Sequence, residues 1–568
     1  MADHQDQYDY IVVGAGSAGC VVANRLSADG RFRVLLLEAG PSDRWNPFIH
    51  MPMGPLLLMH SRRFNWRFWT TPQRHLGNRI MFQPRGKTVG GSSSINGCVY
   101  IRGHAWDYDH WAELGCEGWS YREVLPYFRQ SEHYEPLAAA DSEKAEALVE
   151  YHGLGGPLNV KDRSSTNRIG LAFIEAGQQA GFALNDDFNG AQQEGVGLYR
   201  AFQQDGQRCS NARAYLWPIR NRSNLTILSG AHATRVLLQD QRAVGVEYRR
   251  GSALHQARAR REVILSGGAF NSPQLLLLSG IGPAEELQQH GIPLAHELPG
   301  VGQNLQDHLD IFLVMRTRTH DPMSFHPTAW WRWAVQLFDY VFFKRGELTH
   351  NPGEAGAFIR SEPNEPIPDL QLHLIPVPAT RHALNLWPVL KWYAYSIMVY
   401  DNRPLSRGRV GLRSADPFAP PLIDPNYAAH QRDVDRLVRG VKLARNIAAQ
   451  PALAAYNREE LAPGPQVQSD ADLAAWVRRT AETAYHPVGT CKMGVDAMAV
   501  VDARLRVHGI GGLRVVDCSI MPTVVGGNTN APATMIGEKG AAMILEDAQH
   551  AEAFEATHEV PVMVGEIA

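Results

Sequence analysis

Residues 8–38, YDYIVVGAGSAGCVVANRLSADGRFRVLLLE, decide the fold class of this chain. The apolar run YDYIVV predicts a short strand, GAGSAG a turn, CVVANRLS a helix and RVLLLE a second strand. A strand, a helix and a strand within about 30 residues form a βαβ unit. The segment therefore predicts an α/β domain.

The turn in this unit carries a glycine pattern that is typical of nucleotide binding. Gly14, Gly16 and Gly19 satisfy G-x-G-x-x-G, so the backbone can turn tightly and a pyrophosphate can approach the helix N-terminus. Glu38 ends the next strand, 19 residues after Gly19, where a carboxylate can accept hydrogen bonds from a ribose diol. These residues alone do not separate FAD from NAD, because both present an ADP half to the same fold.

A second loop, GKTVGGSSSING at 86–97, has two interpretations. Gly90 and Gly91 allow close backbone approach, and the serines at 92–94 with Asn96 supply short polar groups suited to a phosphate or a flavin edge. The alternative is a Gly/Ser surface linker. The residues of the loop leave the two interpretations open.

The remaining sequence predicts two lobes, because 568 residues exceed what one hydrophobic core usually serves. Alternating runs at 370–377 and 394–400 and a helical stretch at 433–448 indicate a separate α+β lobe. The strand-like LRVVD at 513–517 resembles the first lobe again, so we expect that lobe to be discontinuous. The predicted units are a nucleotide-binding lobe at 8–310 with lid and loop insertions at 45–82 and 150–215, a second lobe at 311–480, a return to the first lobe at 481–547, and a tail at 548–568.

The amino-acid composition limits the classes of protein to which this chain can belong. The chain is 44% hydrophobic and 20% charged with a formal net charge of −3, and no basic block suggests nucleic acid as a partner. Six dispersed cysteines without a C-x-x-C pair predict neither a disulfide framework nor a zinc ribbon, and we expect no metal site. The N-terminus does not resemble a signal peptide, and no run is apolar enough to span a bilayer. We expect a cytoplasmic protein, with peripheral attachment to the inner face of the cytoplasmic membrane left open.

Several motifs together resemble the glucose-methanol-choline (GMC) oxidoreductases. They are YDYIVVGAGSAGCVVANRLS, RGKTVGGSSSIN, GAFNSPQLLLLSGIG at 268–282, NLQDH at 304–308, HPVGT at 486–490 and GGNTNAP at 526–532, which occur in the family's order across nearly the whole chain. Within the family, the chain is most similar to bacterial FAD-dependent alcohol dehydrogenases, the branch that acts on choline, aliphatic alcohols and polyethylene glycol. The resemblance implies a Rossmann-like FAD-binding domain and an α+β substrate domain built on an antiparallel sheet.

The resemblance also implies roles for individual residues. The cofactor-binding positions are Gly14, Gly16, Gly19, Glu38, Val89, Gly91, Asn96, Ala233 and Asp517. Some family members bind FAD covalently through a histidine directly before the asparagine of the second loop. Here that position is Ile95, which cannot form such a bond, so we predict non-covalent FAD.

His486 and Asn530 match the family's catalytic His–Asn pair. Alcohol oxidation removes a hydride, which the flavin can take, and a hydroxyl proton, which needs a base that titrates near neutral pH. Histidine suits this role, while a carboxamide can donate a hydrogen bond to the substrate oxygen. A lone histidine is more often structural, and only the motif and the paired amide favour the base. Cys491 and His308 we expect to be structural.

The aromatic stretch TAWWRWAVQLFDYVFF at 328–343 predicts a wide amphipathic helix. Its apolar side either packs into the second lobe or docks on a membrane surface. The segment at 45–69, rich in Met and aromatic residues, either covers an apolar substrate channel or packs between the lobes.

We predict an FAD-dependent dehydrogenase that oxidises a primary alcohol to the aldehyde and passes electrons to a quinone or another acceptor that is not oxygen. The alternatives are an oxidase that makes H₂O₂ and a non-oxidative lyase on the same fold. The identity of the alcohol and the oligomeric state stay open.

Overall fold

The structure, a computed structural model, describes residues 7–162, 167–350, 353–379 and 387–558. Two large sheets organise the chain, and each has its own cluster of buried apolar side chains. The predicted α/β class is confirmed.

The first sheet contains the predicted βαβ unit and mixes parallel with antiparallel strands. Parallel pairing joins the strands from the βαβ unit to their neighbours, and an antiparallel hairpin extends one edge. The order is Leu225–Ser229, Val34–Glu38, Gln7–Val13, Ala253–Leu265, Arg242–Arg250 and Ala231–Gln239, with Leu513–Val515 also paired to Ala253–Leu265. The late strand Leu513–Val515 makes the first lobe discontinuous in sequence.

The helix Ser17–Leu26 crosses between the two strands of the βαβ unit and packs against the last helix, Asn530–His558. Gly537 permits this approach, because a Cβ there would lie 2.9 Å from the backbone oxygen of Ala18. The last helix continues ten residues beyond the predicted start of the tail at 548, and residues 559–568 of that tail lie outside the described part of the chain.

The second sheet is antiparallel throughout, as expected. Its order is Asn457–Ala462, Leu309–Thr317, Ala394–Asp401, Leu370–Ile375, Ala355–Ile359 and Gly195–Leu198, with Glu482–Thr483 also paired to Leu309–Thr317. Four helices contribute to its buried cluster: Arg168–Gln179, Gln431–Ala449, Pro451–Ala454 and Asp470–Thr480.

Part of the region predicted as an insertion of the first lobe packs with the second. The helix Arg168–Gln179 lies on the second sheet, and the strand Gly195–Leu198 pairs with Ala355–Ile359. The sequence of this edge strand, GVGL, has no strand pattern because glycine is a poor strand former. Its pairing depends on a strand that lies more than 150 residues further along the chain.

Smaller sheets and further helices complete the described structure. A five-stranded sheet contains Val99–Tyr100, Glu132–Tyr134, Leu158–Lys161, Arg200–Gln204 and Gln207–Arg208, and two-residue strands pair Phe68–Trp69 with Phe82–Gln83. The remaining α-helices are Pro47–His50, Pro55–Leu58, Ala105–Glu113, Tyr121–Ser131, Glu135–Ala138, Ser142–Val149, Gly268–Leu278, Ala284–Gln289, Trp330–Phe343 and Trp387–Lys391. Within the described ranges, none of the helices combines the length and the apolar character that crossing a membrane requires.

Candidate active site

A cavity of about 870 Å³ is lined by residues of both sheets and of the segment at 48–59. The predicted site residues that line it are Gly14, Gly16, Glu38, Gly91, Asn96, Ala233, Asp517, His486 and Asn530. Gly19 and Val89 do not line it. The fold thus gathers into one space residues that lie at opposite ends of the sequence.

Three glycines let backbone segments approach each other closely at one part of the cavity. Gly14 has φ +101°, and a Cβ there would lie 2.5 Å from the backbone oxygen of Ser266. A Cβ on Gly91 would lie 2.7 Å from the Cα of Gly16, so the two predicted loops touch each other. A Cβ on Gly19 would lie 1.9 Å from the Gly14 oxygen, which explains the third glycine by helix packing rather than by ligand contact.

Two carboxylates shape the same part of the cavity. Glu38 accepts hydrogen bonds from the backbone N–H of Ala15 (3.0 Å) and of Gly40 (2.7 Å), and burial raises the pKa of Glu38 to about 7. Asp517 accepts from Ser272 Oγ (2.6 Å) and from the N–H of Gly268 (2.9 Å). Asp517 therefore fixes the start of the helix Gly268–Leu278 beside the glycine turn.

Arg85 is a cavity residue that the sequence analysis missed. Its guanidinium is buried, and Nε and Nη2 have no hydrogen-bond partner. Burial lowers the pKa of Arg85. A hydrogen-bond acceptor on a ligand would offset the free-energy cost of desolvating Nε and Nη2 of this guanidinium. The glycine cradle, the Glu38 carboxylate and these free donors fit a dinucleotide such as FAD. The sequence signal was the arginine directly before the second loop, in PRGK.

His486 is held in place through its backbone. Its N–H donates to Asp307 Oδ1 at 2.7 Å, and Asp307 Oδ2 also accepts from Thr483 Oγ1 at 2.6 Å and from the hydroxyl of Tyr427. The preceding residue, Tyr485, has φ +68°. These bonds anchor the turn that presents the imidazole to the cavity.

The hydrogen-bond network determines which ring nitrogen of His486 is free to accept a proton. His308 Nε2 lies 3.0 Å from the backbone oxygen of Asn402, which can only accept, so this nitrogen carries the proton. His308 Nδ1 is then an acceptor, and His486 Nδ1, 3.0 Å away, donates to it. The lone pair of His486 is therefore on Nε2.

The carboxamide that faces this lone pair belongs to Asn528. Its Nδ2 lies 3.2 Å from His486 Nε2, while its Oδ1 accepts from Gln371 Nε2 at 3.3 Å. The Tyr400 hydroxyl donates to the oxygen of Gln371, which orients the Gln371 amide. Both amides are thus oriented so that the N–H₂ of Asn528 points to the histidine.

This arrangement corrects the predicted pairing of His486 with Asn530. The Asn530 side chain accepts from Ser17 Oγ at 2.8 Å and donates to Asn211 Oδ1 at 3.3 Å. Asn530 is also the first residue of the last helix, so its side chain joins that helix to Ser17–Leu26. The GGNTNAP motif contains both asparagines, and Asn528 is the one that contacts His486.

The environment keeps the His486 ring neutral. Burial and, next, the neighbouring His308 lower the pKa of His486 well below its ordinary value, and burial lowers the pKa of His308 to about 3. A neutral imidazole with its lone pair on Nε2 can accept a proton from a group in the cavity. Cys491, which follows His486 by five residues, is buried and does not line the cavity.

The part of the cavity wall formed by the second lobe and by the segment at 48–59 is apolar. Glu38 and Asp517 are the acidic residues among the described lining, and both belong to the part near the glycine turn. The side chains of the apolar part are mainly methionine, aliphatic and aromatic: Met51, Met53, Leu56, Phe312, Met323, Phe325, Trp333, Leu348, Ile375, Val377, Val389 and Met398. The segment at 45–69 therefore contributes to the wall of an apolar cavity.

Comparison with known proteins identifies the class. Two sequence profiles, both described as GMC oxidoreductase, match residues 8–310 and 404–537. The chain belongs to the GMC oxidoreductase family, whose members bind FAD. The predicted family, enzyme class and cofactor are confirmed.

Individual relatives within the family show which members this chain is similar to. The chain is 48% identical to the "Alcohol dehydrogenase [acceptor]" of Pseudomonas putida, over 95% of this chain and 96% of the relative. It is 45% identical to the mitochondrial choline dehydrogenase of Homo sapiens, over 96% and 90%. Among solved structures, pyridoxine 4-oxidase from "Mesorbium loti" superposes with a TM-score of 0.84 at 31% identity, covering 95% of this chain and 99% of that one.

Proposed function

We propose that the protein oxidises an uncharged primary alcohol with an apolar tail to its aldehyde, and that its electrons pass to an acceptor other than oxygen. The observation that carries the proposal is the pair formed by His486 Nε2 and the Asn528 amide at the wall of an apolar cavity. The relative named alcohol dehydrogenase [acceptor] supports the same class of substrate and of acceptor.

The chemistry divides between the cofactor and the chain. FAD, when bound, supplies the acceptor for the hydride from the carbinol carbon. His486 Nε2 accepts the hydroxyl proton. The Nδ1–H of His486 stays hydrogen-bonded to His308 Nδ1, so the ring keeps its Nε2 lone pair on the cavity side. The Asn528 amide donates a hydrogen bond to the substrate oxygen as negative charge develops there. Gly14, Gly16, Glu38 and Arg85 are the residues that would hold the cofactor.

The lining favours an apolar alcohol over choline. A quaternary ammonium group is usually bound by a carboxylate or an aromatic cage. In the described part of the wall contributed by the second lobe there is no acidic residue to pair with the cation, and the aromatic side chains Phe312, Phe325 and Trp333 lie among abundant methionine and aliphatic side chains. Each additional buried methylene of a substrate contributes about 0.8 kcal/mol, so binding should strengthen with chain length until the cavity is filled.

A substrate series read by the flavin absorbance tests the proposal. The holoenzyme is mixed without oxygen with primary alcohols from ethanol to dodecanol and with choline, and the rate of flavin bleaching is recorded. We expect bleaching that becomes more efficient along the series and weak bleaching by choline. Bleaching by choline alone would contradict the substrate class, and no bleaching by any alcohol would favour a lyase.

Two variants test the base in the same assay. His486→Ala should slow bleaching by on the order of 10²-fold or more while FAD remains bound. His255→Ala, at an exposed histidine that does not line the cavity, is the matched control and should bleach at the normal rate. Reoxidation of the bleached enzyme by a soluble quinone but slowly by air would support the acceptor, whereas rapid formation of H₂O₂ would identify an oxidase.

A further inference from the structure

The helix Trp330–Phe343 presents an apolar face to solvent. Trp331 is 69% exposed, Phe342 67% and Phe338 54%. Phe338 lies seven residues after Trp331 and four before Phe342, so the three side chains share one face of the helix. Further exposed apolar side chains on the same helix are Trp330, Val335, Leu337, Val341 and Phe343. Within the helix only Tyr340 is buried. Most of the apolar side chains of this helix are therefore exposed, and the expectation that they pack into the second lobe holds for Trp333 and Tyr340.

The opposite side of the helix holds it in place. Trp333 and Tyr340 pack with Met51, Met53 and Leu348 in one apolar cluster. Trp333 Nε1 donates to the Ser324 backbone oxygen at 2.7 Å, and Arg332 pairs with Glu347 at 2.9 Å. The exposed aromatic side chains thus belong to an anchored helix rather than to a loose segment.

The exposed face extends to a neighbouring element. The helix Trp387–Lys391 contributes Trp387, 65% exposed, and Leu390. The hydroxyl of Ser324 donates to the backbone oxygens of Val389 and Trp392, which attaches this element to the segment before the aromatic helix. We call the exposed apolar residues of both helices the aromatic face. Large exposed apolar patches on proteins usually mark a site of interaction with another molecule or with a membrane.

Positive charge borders the aromatic face. Arg345 lies two residues beyond the helix, 4.6 Å from the centre of the Phe343 ring, and Lys391 lies 4.5 Å from that of Trp392. Within the described ranges, neither forms an ion pair with a carboxylate. The one acid in the aromatic helix, Asp339, is on the side away from the aromatic face. Tryptophan with flanking lysine and arginine is the composition found at the boundary between lipid and water.

The mouth of the cavity opens at the same surface. Among the residues that the structure describes, four both line the cavity and are exposed, and two of them, Trp330 and Leu337, are on the aromatic helix. The other two, Phe48 and Leu57, are on the segment that packs beneath it. A surface that contacts the aromatic face would therefore meet the entrance of the cavity.

We propose that the aromatic face docks on the surface of an anionic phospholipid bilayer and opens the cavity toward the lipid. An interfacial helix of this kind buries its apolar side at the boundary between headgroups and acyl chains, and adjacent cations strengthen binding to anionic lipid. Docking goes beyond the proposed function. The entry of substrate from the lipid rests on that function, because an apolar alcohol partitions into the bilayer.

Sedimentation with vesicles tests the docking. The holoenzyme is mixed with vesicles of phosphatidylcholine and phosphatidylglycerol or of phosphatidylcholine alone. We expect binding to both, stronger with phosphatidylglycerol. The triple variant W331S/F338S/F342S, at positions that do not line the cavity, should bind at least about tenfold more weakly. The control L171S/L254S/V495S removes exposed apolar residues elsewhere and should bind as the unchanged protein does.

Further measurements separate the alternatives. The triple variant should keep its FAD and its bleaching rate with butanol in water, but respond more slowly to dodecanol supplied in vesicles. Failure of the unchanged protein to bind either vesicle would overturn the docking proposal, as would a dimer that W331S/F338S/F342S dissociates. Normal docking without bleaching by any alcohol would instead contradict the proposed function, so the two failures are distinguishable.

Discussion

The Nδ1 atom of His308 lies 3.0 Å from the Nδ1 atom of His486, and the Nε2 atom of His308 lies 3.0 Å from the backbone oxygen of Asn402. The second contact fixes the proton of His308 on Nε2, and the first then fixes the proton of His486 on Nδ1. In the proposed mechanism His308 is a positioning residue, because it acts on the lone pair of His486 without lining the cavity.

Replacement of His308 should therefore affect the rate more than the binding of cofactor or substrate. In His308→Leu the acceptor for His486 Nδ1–H is lost, so the ring can populate the tautomer with its proton on Nε2. We expect bleaching to slow by about 10–10²-fold, less than the roughly 10⁴-fold loss at a site where the wrong tautomer is enforced, because leucine removes the preference without reversing it. His308→Asn keeps an acceptor close to the position of Nδ1 and should recover much of the rate. Equal losses in both variants would show a packing role only.

The pH dependence of bleaching should reflect the neutral His486. In the proposed reaction His486 accepts a proton only when its ring is neutral, so activity should fall as the pH drops through the pKa of His486. Burial lowers that pKa well below 6.5, which moves the loss to a pH below the range of an ordinary histidine. Stopped-flow bleaching by one alcohol across the acid range measures it. An acid limb at or above the ordinary histidine pKa would contradict the buried, neutral base.

The nucleotide-binding part of the fold was predictable because its signal is local. The strands, the turn and the helix of the βαβ unit are consecutive in sequence, and the glycines and Glu38 have fixed spacings within it. The alternating runs predicted that the second lobe contains a sheet. They did not predict its edge strand Gly195–Leu198, because the sequence GVGL is not typical of a strand. Backbone hydrogen bonds to Ala355–Ile359 make this segment a strand although its own sequence does not favour one.

The contacts around His486 were only partly predictable because they join residues that lie far apart in the sequence. His308 and His486 are 178 residues apart and meet because Leu309–Thr317 pairs with Glu482–Thr483. The choice between Asn528 and Asn530 depends on the path of a loop in which Gly527 has φ +129°. A Cβ at Gly527 would lie 2.4 Å from Ile101 Cγ2. No sequence pattern shows which of two asparagines such a loop turns toward the histidine.

Denaturation should release the flavin from the protein. Ile95 occupies the position where a linking histidine would stand, and it is buried against Ile49, Leu58 and Phe64. An isoleucine offers no nucleophilic atom for a covalent bond to the flavin. After acid or heat precipitation we expect the flavin absorbance in the supernatant. A yellow pellet that keeps its flavin through washing would show a covalent link at another residue.

The two asparagines of GGNTNAP should respond differently to the same substitution. Asn528→Ala removes the amide that faces His486 Nε2, so bleaching should slow by about 10²–10³-fold while thermal stability changes little. Asn530→Ala removes the hydrogen bonds to Ser17 and Asn211, each worth about 1 kcal/mol, so it should lower the unfolding temperature. Flavin bleaching and thermal unfolding, measured on both holoenzymes, separate the two roles. If Asn530→Ala lost the bleaching rate and Asn528→Ala kept it, the pairing drawn from the structure would be wrong and Asn530 would be the catalytic amide.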